Sequence, residues 1–80
     1  MTRADILARV SRVAAECFAC RPTAITEATV AADIERWDSL RHLIFVSSIE
    51  QEFGIEFDMD AIAGLTDVGE LVGAILALAE

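Results

Sequence analysis

Apolar residues in this chain return every three or four positions in three separate stretches and nowhere alternate convincingly at period two, so helices must bury them. Ile6, Leu7, Val10, Val13, Ala14, Cys17 and Phe18 share one face of the first stretch, and Thr2 with Asp5 three residues later has the form of a capping box. This pattern predicts a first helix of about four turns, stopped by Pro22. A long loop follows to Trp37, anchored by Ile25, Val30 and Ile34. Asp38 and Ser39 are both good cap residues, and Leu40 to Phe53 holds no Gly or Pro before Gly54, which predicts the second helix and its stop. Phe57 and the cluster Asp58, Met59, Asp60 lead into Ala61, Ile62 and Ala63, a short third helix before Gly64. Asp67, with Glu70 at the capping-box offset, opens a last helix in which Val68, Leu71, Val72, Ile75, Leu76 and Leu78 pack. The expected fold is all-α: a four-helix bundle with three longer helices and one short helix, and a long loop between the first and second.

Eighty residues hold one domain, spanning 1–80, with one modest core, too little for a cofactor fold plus a substrate pocket. Catalysis by the chain itself is therefore not expected. The net charge of -8 is uneven: all six Arg fall at or before Arg41, there is no Lys, and residues 1–41 balance. Eight acids and no Lys or Arg follow from His42 onward. A field of that sign repels nucleic acid and anionic lipid and attracts basic protein surfaces. Seven of these acids crowd between Glu50 and Glu70, which predicts a marginally stable bundle that salt stabilises. No targeting signal opens the sequence, so the cytoplasm is the expected compartment. Leu71 to Ala79 is about half the roughly 20 residues of a membrane span and reads as a core helix.

Three tempting sites fail on their chemistry. Cys17 and Cys20 form a single C-x-x-C, but zinc needs four ligands and His42 has no second cysteine pair to join. Cys17 continues a helical stripe where a redox motif wants a preceding strand, so both are read as buried or partly buried free thiols. Asp58 and Asp60 lack the loop Gly and closing Glu of a calcium loop. Ser39 and His42 lie three apart on one helix, but no nucleophile elbow or oxyanion hole accompanies them. His42 is expected to be part-buried and hydrogen-bonded.

The second helix carries two apolar stripes. Phe45, Val46, Ile49 and Phe53 form the expected core side. Leu40, Leu43 and Ile44, continued by Ser47 and Gln51, lie roughly opposite, beside Ser39. The sequence leaves open whether that second stripe docks a partner or lies under the short third helix.

Asp38-Ser39-Leu40 alone describes any helix start. With Trp37 before it, with Leu43, Val46, Ile49, Glu50, Phe53, Gly54 and Ile55-Glu56-Phe57 after it, and with the acidic turn and the helix entry Leu65-Thr66-Asp67-Val68, the chain resembles the acyl carrier protein family over nearly its whole length. That resemblance implies that Ser39 is joined by a phosphodiester to 4'-phosphopantetheine from coenzyme A, whose terminal thiol carries the acyl thioester. A phosphodiester anion suits a helix N-terminus. The resemblance also implies that Asp38 helps engage the metal in the complex with a phosphopantetheinyl transferase, and that Leu40 docks on partner enzymes. The expected partner surface comprises Asp38, Leu40, Arg41, Leu43, Ile44, Ser47 and Glu50. Its partners are the transferase and acyl-loading, ketosynthase or acyltransferase-type enzymes with basic docking surfaces, acting on a monomer.

Three departures from the common family pattern stand out. The Gly-free segment Ile34-Glu35-Arg36-Trp37 precedes the motif, Arg41 and His42 follow the serine, and Ile44 and Gln51 replace expected acids. They favour a specialised lipid, polyketide or peptide-type pathway over general fatty acid biosynthesis. A peptidyl or aminoacyl carrier, an unmodified helical interaction domain and a minimal serine hydrolase are the competing readings.

Overall fold

The computed structural model describes residues 2–58, 60 and 65–79. Their architecture is three α-helices, α1 (Arg3–Phe18), α2 (Ser39–Phe53) and α3 (Val68–Ala79), with two short 3-10 turns, Pro22–Ala24 and Ala31–Asp33, between the first two. The connection expected to be a plain loop is thus partly ordered by local hydrogen bonds. The expected short helix before Gly64 lies outside the described residues. Among the described residues, no helix is long and apolar enough to cross a membrane.

The helix ends follow their cap chemistry. Thr2 Oγ1 accepts from Asp5 N–H at 3.2 Å and Asp5 Oδ2 accepts from Thr2 N–H at 3.2 Å, closing the capping box. Those hydrogen bonds, the backbone one first, hold the Asp5 carboxyl below its ordinary range. The box therefore adds stability above that range and loses it as pH falls through the lowered value.

Helix α1 stops three residues earlier than its proline suggests, at Ala19 in a left-handed conformation with φ 52°. Ala19 N–H and Cys20 N–H both turn back to the Ala15 carbonyl, which the tight reversal makes possible. Alanine pays for this conformation through its Cβ. Ala19→Gly is expected to raise stability by about 1 kcal/mol, read as a higher urea midpoint with an unchanged slope. Helix α2 ends on Gly54 at φ 66°, a conformation that glycine adopts without that strain.

The core collects one face of each helix: Ile6, Val10, Val13, Ala14 and Phe18 from α1, Phe45 and Ile49 from α2, and Val68, Leu71, Val72 and Ile75 from α3. Helix α1 packs against both of the others. Ile25 and Ile34 pin the connection to this core as expected, but Val30 stays half-exposed and Thr29 is buried in its place. Thr29 earns burial by hydrogen bonding: its Oγ1 accepts from Thr26 N–H at 2.9 Å and donates to Ala24 O at 3.3 Å.

The same connection closes the start of α3. Val68 N–H donates to Thr29 O at 2.9 Å and Gly69 N–H to Glu27 O at 2.7 Å, so two unpaired donors of the first turn find backbone acceptors. Arg3 reaches both partners, pairing with Glu27 and donating to Gly69 O at 3.0 Å. A Cβ on Gly69 would stand 2.9 Å from Glu27 O, a backbone atom that cannot swing aside. Gly69→Ala is expected to destabilise by about 1–3 kcal/mol, despite alanine's better helix propensity, visible in a thermal melt.

Charges of the two halves pair across the bundle. Glu52 takes Arg9 and Arg12, each at 3.5 Å, and the Arg9 guanidinium lies 5.5 Å from the Phe53 ring centroid. Asp67 Oδ1 accepts from Glu70 N–H at 2.8 Å, while the Glu70 carboxylate accepts from Thr66 N–H and Oγ1–H at 3.3 and 2.5 Å. Of the acids from Glu50 to Glu70, Glu52, Asp67 and Glu70 thus have partners within the chain, while Glu56, Asp58 and Asp60 are exposed.

Candidate functional site

The most unusual surface feature lies at the start of α2. Asp38, in extended conformation, caps the helix with Oδ1 accepting from Arg41 N–H at 2.8 Å, and His42 N–H donates to Asp38 O at 2.9 Å. Ser39 is the first helical residue and its side chain is exposed. The Ser39 and Leu40 N–H groups have no partner within the helix, so the positive end of its dipole faces solvent beside the hydroxyl.

Aromatic packing fixes this end in place. Trp37 stacks on Phe18 with ring centroids 4.5 Å apart and meets Phe45 edge-on at 5.3 Å, while Phe18 and Phe45 are 5.1 Å apart. Trp37 Nε1–H donates to His42 Nδ1 at 3.0 Å, and the two rings stack at 6.1 Å. Trp37 precedes the cap and His42 is the fourth helical residue, the two positions joined by a hydrophobic staple. That spacing is the signal in the sequence that assigns Trp37 to the site, beyond its place in the motif.

His42 is half-buried and hydrogen-bonded, as expected. Because an indole N–H can only donate, Nδ1 is the acceptor and the neutral ring carries its proton on Nε2. Neither ring nitrogen is then free to take a proton from Ser39, which removes the basis for a Ser-His dyad.

An open groove of about 410 Å³ starts at Ser39 and is lined by Ala31, Trp37, Asp38, His42 and Leu43. A smaller, mainly apolar cavity of about 70 Å³ shares Ala31, Trp37 and His42 with it and reaches Phe45, Val46, Val68 and Leu71. The rings of Trp37 and His42 therefore stand between surface and core.

Of the expected partner surface, the structure exposes Leu40 (68%), Leu43 (65%) and Ile44 (51%) together with Asp38 and Ser47. The second stripe is on the outside. Two members also have partners within the chain. Arg41 folds back onto α1, its Nη1 donating to Cys17 O at 3.0 Å, a cation on the last turn of a helix. Glu50 is half-buried with Oε2 accepting from Phe57 N–H at 2.9 Å, so it closes the turn after α2. Sequence position says nothing of where a long side chain turns. Cys17 and Cys20 are free and half-buried, Cys17 beside Ser48 Oγ at 4.0 Å and Cys20 beside Ala14 O at 3.9 Å.

A family model described as a phosphopantetheine attachment site matches residues 22–75, more than half of the chain, from Pro22 through α2 and most of α3. Domains of this kind are where 4'-phosphopantetheine is covalently attached. The residues present fit such a group: an exposed hydroxyl, unpaired amides for an anion, and an open groove beside them.

Proposed function

Taking as premise that the chain belongs to the phosphopantetheine attachment family, we propose that it is an acyl carrier protein whose arm is joined to Ser39. The observation that carries this assignment is the placement of Ser39 as an exposed first residue of a capped helix, at the mouth of the groove. The attached group supplies a thiol that holds the cargo as a thioester. This chain's own residues do the rest: Asp38 orders the helix start, the N-terminal amides of α2 stabilise the phosphodiester, and Trp37 anchors the segment to the core. The chain presents intermediates and leaves their chemistry to other proteins.

Leu40, Leu43, Ile44 and Ser47, with Asp38, form the surface offered to a phosphopantetheinyl transferase and to acyl-loading, ketosynthase or acyltransferase-type enzymes. Three exposed large apolar side chains next to the attachment point support this, and the net charge of -8 favours basic partner surfaces. Its departures around the motif, Arg41 and His42 among them, favour a specialised lipid or polyketide pathway. Incubation with coenzyme A, magnesium and a broad-specificity transferase is expected to raise the intact mass by one phosphopantetheinyl group. No gain with several transferases would overturn the assignment and make an unmodified interaction domain the better account.

A further inference from the structure

We propose that His42 is a binding residue for the arm, its Nε2–H donating to an oxygen acceptor of the arm in the groove, and that Trp37 is the positioning residue that fixes this tautomer. The inference rests on Ser39 being the attachment point. His42 follows Ser39 by three residues and so lies on the same side of α2, and both line the groove. The Trp37 indole N–H occupies Nδ1 at 3.0 Å, which leaves Nε2 as the ring's donor.

The other lining residues make this donor distinctive. Ala31 and Leu43 have no side-chain donor, Asp38 accepts from Arg41 N–H, and Trp37 has committed its N–H to His42. The Ser39 hydroxyl is consumed by attachment. Among side chains lining the groove, His42 Nε2–H is the donor that remains. A pantetheine arm brings phosphodiester, hydroxyl and amide oxygens past this point, so donor and acceptors are complementary. Stacking against Trp37 limits the ring's freedom, which lowers the entropy lost when the contact forms.

The test begins by loading the full chain with isotopically labelled pantetheine and verifying its mass. Long-range 1H–15N spectra then follow the imidazole before and after loading, and relaxation follows the arm amides. The expected result is the Nε2–H tautomer in both forms, a shift of the Nε2 and Hε2 resonances on loading, and slower Hε2 exchange with water. Arm order parameters should fall below about 0.6 in His42→Phe and stay near the wild-type values in His42→Gln, which retains both an acceptor and a donor. Trp37 fluorescence verifies the fold of the two His42 variants, and far-ultraviolet circular dichroism that of Trp37→Phe. Trp37→Phe should release the ring into a mixture of tautomers. Normal loading with unmoved Nε2 and Hε2 signals, or an equally ordered arm in His42→Phe, overturns the inference alone. Absence of loading overturns the Ser39 assignment and this inference with it.

Discussion

Ser39→Ala is expected to abolish loading outright while leaving the fold intact. The group is joined through a hydroxyl oxygen that alanine lacks, so the loss is complete. Other serines offer no substitute: Ser11 is buried and donates to Ile25 O at 3.4 Å, and Ser48 donates to Ile44 O at 2.9 Å. Ser47 is exposed but sits within α2, away from the helix's unpaired first-turn amides. Stability should hardly change, because Asp38 and not Ser39 accepts the capping hydrogen bond and the Ser39 side chain is exposed. A shift within about 0.5 kcal/mol is expected, measured by urea melts beside the intact mass. Undiminished loading of the variant would remove Ser39 from the account.

Phe18→Ala should do the opposite, disabling the site by dissolving its support. Phe18 is 1% exposed and touches both Trp37 and Phe45, so truncation opens a cavity where α1, α2 and the connecting segment meet. Such truncations cost about 3–5 kcal/mol. An 80-residue domain has roughly 4–12 kcal/mol in all, so the variant loses a large share of its stability and is expected to unfold at much lower urea. Trp37, the one tryptophan in a chain without tyrosine, reports this directly through red-shifted emission. A stability lowered by less than about 1 kcal/mol would show that the aromatic cluster does not hold the helix start.

Much of this was legible in the sequence, where spacing and cap chemistry dominate. Thr2 with Asp5 marked the start of α1, Asp38 and Gly54 bracketed α2, and the two stripes of α2 divided into the buried Phe45, Val46 and Ile49 and the exposed Leu40, Leu43 and Ile44. What escaped depends on contacts distant in sequence. Arg41 reaches back 24 residues to the Cys17 carbonyl, and the arginines of α1 neutralise Glu52 on α2, so net charge along the chain overstated the free acidic face. Glu50 pairs within the chain and Thr29 is buried in place of Val30 for a related reason: a polar side chain is held wherever a backbone group needs it, and hydropathy does not record that need. The halt of α1 at Ala19 was hidden because alanine gives no sign of a left-handed cap.

The carrier assignment turns on one atom, Ser39 Oγ. Proteolysis of the loaded protein followed by fragmentation mass spectrometry locates the phosphopantetheinyl group among Ser11, Ser39, Ser47 and Ser48. The account predicts the group on the peptide containing Ser39, with fragment ions bracketing that residue alone. A group found on another residue, or on several, would contradict it.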